Sequence, residues 1–466
     1  MRIKTVAIIG RPNVGKSTLF NAFVKKRKAI VSDIPGTTRD NLIEKIVHKK
    51  QSFFLVDTAG LTSDAGEKLE EKIQTQARLA AQNADMILFL VDGRSEITKG
   101  DHDVANYLRK LGTKVVLAVN KIDDKNESLI WNFVSLGLGD PVAISAKNRI
   151  GLRDLVAQFP TAQVDKSGEI TQKSSIKIAI IGRPNSGKSS LLNSLSGKNL
   201  SLVSDASGTT RDRVDTFVSD KENNKYQLID TAGLKKSGKI GRDFDFWSSV
   251  RTAQAIEEAD ICVCLIDALV GVAHADLVII GRAIGAGKGI ILGVNKFDLV
   301  LARARGKDTP ENKEIPEVAM WNEKVDSIKQ NYLRYLSTKL AFASWAPVIF
   351  FSAKTGKGTR EIFDSAKNIQ LCRRFRIQTS VLNKFLPEVM HSHVLPSQGN
   401  RTGKIKFIQQ VSVSPPEFKI TINSRKAFHH SYWKFIENNL RKKFGFIGTP
   451  LILEFSETFQ RNRKNK

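Results

Sequence analysis

Short apolar runs alternate with longer amphipathic or polar stretches from Ile3 to Leu155. The runs TVAII, FFLVD, MILFLVD, VVLAVN and PVAISA predict buried parallel strands, each leading through a loop into a helix. That is the doubly wound α/β pattern, with ligand loops at the carboxyl ends of the strands. A polar stretch, TAQVDKSGEITQKSS (161–175), lacks apolar periodicity and reads as a linker. The pattern then restarts at Ile176 and runs to Leu371. Beyond it, a helix-like stretch RFRIQTSVLNKFLPEV precedes a Gly/Ser/Asn loop (397–403) and two strands, KIKFIQQVSV and EFKITIN. An amphipathic helix, HSYWKFIENNLRKKFG, and a last apolar run, PLILEF, complete an α–β–β–α–β order. The expected organisation is therefore two α/β domains, 1–160 and 176–371, joined by 161–175 and followed by a small α+β domain, 372–466.

The two α/β segments are copies of one another in their chemistry. Gly10-Arg11-Pro12-Asn13-Val14-Gly15-Lys16-Ser17 and Gly182-Arg183-Pro184-Asn185-Ser186-Gly187-Lys188-Ser189 stand at equivalent places, each between an apolar run and a helix. Each fits G-x-x-x-x-G-K-[ST], a loop whose backbone N–H groups cradle phosphates, with the following helix adding its positive end. Lys16 and Lys188 are expected to reach the β- and γ-phosphates, and Ser17 and Ser189 to ligate Mg²⁺. Asn120-Lys121-Ile122-Asp123 and Asn295-Lys296-Phe297-Asp298 each follow an apolar strand. A carboxylate there accepts from both N1–H and the exocyclic amine of guanine, a donor pair that adenine lacks. Asn120 and Asn295 suit the N7 edge, and the stems of Lys121 and Lys296 can cover the base. A backbone N–H of Ser145-Ala146-Lys147 or Ser352-Ala353-Lys354 can read guanine O6.

Two further elements repeat. DIPGTTRD (Asp33–Asp40) pairs with DASGTTRD (Asp205–Asp212), and places Thr38 and Thr210 as Mg²⁺ ligands when a γ-phosphate is present. Asp57-Thr58-Ala59-Gly60-Leu61 pairs with Asp230-Thr231-Ala232-Gly233-Leu234; the two aspartates would hold the metal through water, and the N–H of Gly60 or Gly233 would sense the γ-phosphate. Loss of that phosphate releases both loops, an order–disorder switch. Leu61 and Leu234 stand where signalling GTPases carry a water-orienting Gln, so hydrolysis is slow or is helped from elsewhere. One candidate is the carbonyl of Asn13 and Asn185, which can hold a monovalent cation beside the β- and γ-phosphates. The alternative is that these asparagines only stabilise the turn.

Composition changes the picture mainly through charge. The formal net charge is +26, and residues 372–466 hold 18 basic against 5 acidic side chains, a net of +13. That concentration is the electrostatic footprint of a polyanion partner; the alternative is a generally lysine-rich proteome with solvated faces. Hydrophobic residues make up 41% of the chain, enough for cores, and no run of 18 apolar residues predicts a membrane span. Three cysteines in 466 residues suit a reducing, cytoplasmic setting, and Cys262 and Cys264 on ICVCLIDA read as ordinary burial. The histidines, among them the His391/His393 and His429/His430 pairs, lack ligand partners at metal spacing. The segment from Asn295 to Ser352 is more than twice as long as its counterpart from Asn120 to Ser145. The polar stretch LARARGKDTPENKEIPEVAMWNEK within it reads as a surface excursion or a partner contact.

Two GRPNxGKS–GTTRD–DTAGL–NKxD–SAK sets followed by a basic C-terminal domain resemble the EngA (Der) family of tandem GTPases. The stretches DTAGLKKSGKIG and PPEFKITIN resemble its second switch II and its C-terminal domain. The resemblance covers nearly the whole chain. It implies GTP hydrolysis, bound GTP/GDP and Mg²⁺, activation by potassium, a KH-like third domain without a working GXXG loop, and a role in maturing the large (50S) ribosomal subunit through rRNA. A monomer is expected. GFIG (Gly445–Gly448) matches GXXG formally, but Phe446 and Ile447 are too apolar for a nucleic-acid clamp. A phosphate-loop kinase or ATPase would have no use for two NKxD–SAK sets. A tRNA-modification GTPase carries one G domain and a terminal cysteine, and RNRKNK has none. A membrane-remodelling GTPase would need amphipathic or spanning segments.

Overall fold

Alternation within each apolar run divides the strands between two cores. In KTVAII, Val6 and Ile8 face one side of the sheet and Ala7 and Ile9 the other, and all four are fully buried. The computed structural model describes residues 3–24, 42–48, 51–58, 69–123, 127–160, 175–196, 201–202, 216–220, 222, 224–229, 242–304, 325–391, 397–398 and 401–457. These fall into two compact units, the described residues within 1–32, 38–171 and 238–254 forming one, and those within 172–237 and 255–466 the other.

Unit 1 is built on a six-stranded sheet of order β2-β3-β1-β4-β5-β6. Its strands are β1 (Lys4–Ile9), β2 (Ile43–His48), β3 (Gln51–Asp57), β4 (Met86–Asp92), β5 (Lys114–Asn120) and β6 (Val142–Ala143). Only the β2–β3 pairing is antiparallel. Helices α1 (Lys16–Phe23) and α4 (Leu152–Ala157) cover one face, packing Leu19, Phe20, Leu155 and Val156 against Val6, Ile8 and Leu88. Helices α2 (Leu69–Asn83) and α3 (Lys99–Lys110) cover the other, where Ala77, Val104 and Leu108 meet Ile9, Ile87 and Phe89.

Unit 2 repeats this plan on seven strands of order β13-β12-β11-β7-β10-β9-β8. They are β7 (Ile176–Gly182), β8 (Ser201–Leu202), β9 (Thr216–Ser219), β10 (Lys225–Ile229), β11 (Ile261–Asp267), β12 (Gly289–Asn295) and β13 (Val348–Phe350). Both segments therefore have the expected tandem α/β architecture. Every residue of β11 is buried, and burial pushes the Cys262 thiol up to about 12, which leaves it an inert core side chain. Helices α5 (Lys188–Ser196), α6 (Arg242–Glu258), α7 (His274–Gly285), α8 (Phe297–Ala304), α9 (Val325–Lys339) and α10 (Glu361–Arg374) follow in sequence; the residues of α6 are divided between the two units. Part of the longer NKxD–SAK connection is helix α9, which buries Ile328, Tyr332 and Leu336 at four-residue spacing. The stretch 305–324, like the linker 161–174, lies outside the described residues.

The C-terminal region begins with α11 (Thr379–His391). A short hairpin, β14 (Ser397–Gln398) with β15 (Arg401–Thr402), follows in the Gly/Ser/Asn loop. Then come β16 (Ile405–Val413), β17 (Pro416–Ile422), α12 (His430–Phe444) and β18 (Ile452–Glu457), which gives the expected α–β–β–α–β order. Strand β16 pairs antiparallel and β18 parallel with the central β17. The outer edge of β16 is engaged at Ile408, where Asn383 bonds both the N–H and the C=O. The Gln410 carboxamide bonds Ile377 N–H and Phe375 C=O, tying the strand to the segment before α11. Bonding at the middle of an edge makes it a poorer template for another strand.

The GFIG loop is spent on packing. Phe446 is 1% exposed in the core of this region, beside Phe375 and Phe418. Gly448 accepts from Ile290 N–H at 2.7 Å and donates to Trp345 C=O at 2.9 Å, joining the loop to the seven-stranded sheet. Arg373 reaches Gly287 C=O at 2.8 Å, and the Arg441 guanidinium lies 4.7 Å from the Trp345 ring. At Gly448 a Cβ would stand 2.4 Å from Ile369 Cγ1, at a φ of +67°. Gly448→Ala should therefore cost about 2–4 kcal/mol by overlap and backbone strain. Faster amide exchange at Ile290, whose bond to the residue 448 carbonyl is displaced, is the expected measurement; unchanged protection there would show that the loop does not hold the two parts together.

Candidate nucleotide sites

Each phosphate loop closes around its own lysine. In unit 1, Lys16 Nζ donates to Gly10 C=O and Arg11 C=O, both at 2.7 Å. In unit 2, Lys188 Nζ donates to Gly182 C=O at 2.9 Å and Arg183 C=O at 2.6 Å. The ammonium is thus aimed along the loop axis at the start of α1 or α5, where phosphate oxygens are expected. Burial lowers the pKa of Lys16, against the pull of nearby Asp57, and brings that of Lys188 down to about 8. Ser17 Oγ donates to Asp57 Oδ2 at 2.8 Å, so a hydroxyl and a carboxylate meet at the mouth of the loop. Paired hard oxygens suit Mg²⁺. Asn13 and Asn185 are exposed and take left-handed φ of +67° and +63°.

A single carboxamide ties each phosphate loop to the SAK loop. Asn120 Nδ2 donates to Val14 C=O at 2.8 Å, and Asn120 Oδ1 accepts from Ala146 N–H at 2.9 Å. Asn295 repeats this with Ser186 C=O and Ala353 N–H, both at 2.9 Å. The bond explains the second glycine of the loop. A Cβ on Gly15 would lie 2.3 Å from Asn120 Nδ2, and one on Gly187 2.1 Å from Asn295 Nδ2. The Ala146 and Ala353 N–H groups, candidate readers of O6, are engaged by these asparagines.

The carboxylate expected to read the base is also braced. Asp123 accepts from Ser145 Oγ at 2.8 Å and Asn148 Nδ2 at 2.9 Å, and Arg94 pairs with its second oxygen. The Ser145 hydrogen bond and then the Arg94 guanidinium hold its carboxyl below the usual range. Lys121 bonds Asp92 at 2.5 Å and Lys296 bonds Asp267 at 2.7 Å, which orients both lysine stems. Ile122 and Phe297 donate their N–H groups to Ile144 and Phe351 C=O, and Phe297 is buried. Thr58 directs its hydroxyl to Ile8 C=O at 2.7 Å, fastening the start of DTAG to β1. The Arg11 and Arg183 side chains reach Asp101 and Asp276. Pro12 and Pro184 are exposed in their loops, Lys147 and Lys354 are exposed beyond the buried Ser145 and Ser352, and Asp298 and Ser189 are partly buried. Thr38, Ala59, Gly60, Leu61, Thr210, Asp230, Thr231, Ala232, Gly233 and Leu234 lie outside the described residues.

Arg94, Asp92, Asp101, Asp267 and Asp276 are not evident from the motifs. The duplication itself carries the signal for the aspartates: Asp92 with Asp267, and Asp101 with Asp276, keep one common offset between the two copies.

Comparison with known proteins places the chain among families already described. Residues 5–121 and 177–296 match the family described as 50S ribosome-binding GTPase, and 376–456 match the KH-domain-like C-terminal region of EngA bacterial GTPase enzymes. The GTPase Der of Alkaliphilus metalliredigens (strain QYMF) is 39% identical over 453 residues, covering 97% of this chain and 98% of that protein. The GTPase Der of Clostridium novyi (strain NT) is 40% identical over 459 residues, again covering 97% and 98%. Among solved structures, the G domain of FeoB from Methanococcus jannaschii is 25% identical with a TM-score of 0.26, covering 34% of this chain and 95% of that one.

The depressed Lys188 has a measurable consequence. With burial bringing its pKa to about 8, Lys188 loses its proton progressively above that pH in the free protein, whereas a bound triphosphate favours the charged form. Nucleotide affinity at the second site should therefore be complete below about pH 8 and fall as pH rises, with proton uptake on binding. Calorimetry at about pH 8.5, in two buffers of different ionisation enthalpy, reads that proton. Lys188→Met should remove the second site's share of that uptake.

Proposed function

We propose that this chain, which belongs to the Der (EngA) family of tandem GTPases, couples GTP hydrolysis in its two G domains to maturation of the large ribosomal subunit. The GTP hydrolase assignment rests on the family. The observation that carries the further reading is the pairing of two equivalent phosphate-loop and Asn-bridge sites with a basic KH-like region of net charge +13. The description of the matching family as ribosome-binding supports it. The domains assigned are 1–160, 161–175, 176–371 and 372–466, acting as a cytoplasmic monomer. No described helix is long and apolar enough to cross a membrane.

In each site, Lys16 or Lys188 binds the β- and γ-phosphates, and Asp123 or Asp298 selects guanine. Asn120 and Asn295 keep one amide hydrogen for N7 beyond the one given to the phosphate loop. Ser17 and Thr38 would hold Mg²⁺ directly and Asp57 through water in the first site, with Ser189, Thr210 and Asp230 in the same roles in the second; the metal would supply charge neutralisation to the phosphates. The N–H groups of Gly60 and Gly233 would report the γ-phosphate. Asn13 and Asn185, exposed and in the left-handed conformation, would offer their carbonyls to K⁺, which would supply further charge neutralisation where Leu61 and Leu234 cannot orient water. Replacing Na⁺ by K⁺ should raise hydrolysis by about tenfold or more, and Asn185→Ala combined with Asn13→Ala should remove the difference. Equal rates of the wild-type protein in the two salts would refute the cation role.

The ribosome reading is tested on charge, because deleting 372–466 would also strip Trp345 and Ile290 of their partners. Lys404, Lys406, Lys426 and Lys442 are exposed in the C-terminal region. Changing all four to Gln should weaken co-sedimentation with 50S particles in a non-hydrolysable GTP analogue. It should also flatten the salt dependence, by roughly 0.7–0.9 in slope for each phosphate no longer neutralised. Intrinsic GTP hydrolysis should be retained. Undiminished co-sedimentation with the same salt slope would place the RNA contacts elsewhere.

A further inference from the structure

The second residue of each phosphate loop is an arginine whose side chain leaves the site. Arg11 Nε donates to Asp101 Oδ1 at 2.8 Å, and Arg183 Nε donates to Asp276 Oδ1 at 2.9 Å. Both aspartates are 2% exposed. Each is the third residue of its helix, α3 or α7, and its other oxygen closes the helix start. Asp101 Oδ2 accepts from Thr98 N–H at 3.0 Å and Thr98 Oγ1 at 2.8 Å, and Asp276 Oδ2 accepts from Ala273 N–H at 2.9 Å. Arg183 also donates to Gly271 C=O at 3.0 Å.

The same arginine supplies one of the two loop carbonyls that hold the phosphate-binding lysine, at 2.7 Å in unit 1 and 2.6 Å in unit 2; the loop's first glycine supplies the other. One residue therefore connects a buried helix cap to the lysine ammonium. The flanking loop residues Pro12, Asn13, Pro184 and Asn185 are exposed, so they give that carbonyl little support of their own. Helix capping alone does not account for the aspartates. Ala273 stands where the first copy has Thr98, so the hydroxyl of the cap is lost in the second unit, yet the ion pair to the arginine is kept at nearly the same length. Nor is the arginine free to swing onto the γ-phosphate as a cis arginine finger, since that would strand a buried carboxylate.

We infer that Arg11 and Arg183 are positioning residues for GTP hydrolysis, bracing Lys16 and Lys188 through their own backbone carbonyls against Asp101 and Asp276. The inference rests on the GTP hydrolysis common to the family and is independent of any ribosome contact. A loop lysine displaced by a fraction of an ångström still attracts phosphate but fits the transition state less well, so the loss falls on kcat more than on binding.

The test uses the full chain with Lys16→Ala silencing the first site, assayed well below the unfolding temperature. Arg183→Gln should lower kcat by about tenfold to a hundredfold, while KM and GDP affinity stay within about threefold. Asp276→Asn keeps the acceptor for Ala273 N–H but loses the charge, and should reproduce the loss. The double variant should be no slower than the worse single one, because both changes break one interaction. Arg183→Lys, which returns a cation to Asp276, should recover most of kcat. Arg11→Gln with Lys188→Ala should behave likewise for the first site. A merely structural clamp predicts a lower melting temperature with unchanged kcat, and that result overturns the proposal. So do losses that multiply in the double variant. Should Arg183→Gln fail to fold, Asp276→Asn decides alone, and an unchanged kcat there is equally fatal.

Discussion

Each nucleotide site depends on a carboxamide that leaves no room for a side chain beside it. Asn120 and Asn295 stand at the carboxyl end of a buried strand and bond two loops at once, the phosphate loop through Nδ2 and the SAK loop through Oδ1. Their approach requires glycine at positions 15 and 187. Without the bridge, two irregular loops would each leave buried backbone groups unpaired, at about 1–3 kcal/mol apiece. With it, the phosphate and base halves of the site become one object. The bridge in turn needs its strand at the right level, which the buried, in-register parallel pairing of β4 with β5 and of β11 with β12 provides.

The ion pairs around this bridge share a logic. Lys121 and Lys296 lean on Asp92 and Asp267, the last residues of the strands next door. Arg11 and Arg183 lean on helix-capping aspartates. These four cations therefore hold fixed positions through protein partners of their own, and the pocket is organised before an anion arrives. Preorganisation of this kind lets electrostatic stabilisation act without reorganisation at the moment of reaction. The phosphate-loop lysines differ in donating to neutral carbonyls, and burial brings the pKa of Lys188 well below that of an ordinary lysine.

Much of this is legible in the sequence. The strands show because central parallel strands are apolar throughout, and the loops because phosphate and guanine recognition demand particular residues at fixed spacing. What is not legible has physical reasons. Asn120 reads from its motif as a base contact, but its second task depends on two loops that only the fold brings together. Asp101 and Asp276 lie in ordinary helix starts, and the arginines they hold look like part of the phosphate cradle. Helix α9 is masked by the polar stretch before it, although Ile328, Tyr332 and Leu336 carry helical spacing. Only its repeat register distinguishes an aspartate such as Asp92 from any other surface carboxylate.

The C-terminal region shows how a formal motif can be spent on something else. GFIG has the glycines of a nucleic-acid clamp, yet Phe446 belongs to the core and Gly448 is bonded on both sides to the second G domain. The outer edge of β16 is likewise engaged at Ile408, whose N–H and C=O are both bonded by Asn383. The glycine loop and the middle of that edge are therefore committed to contacts within the protein. Exposed lysines and arginines remain, on strand β16, the turn before α12 and the end of α12. On the proposed ribosome reading, such a surface would recognise the spacing of phosphates rather than the identity of bases. A folded RNA, whose backbone presents phosphates in a fixed array, would then meet that requirement better than an unstructured strand.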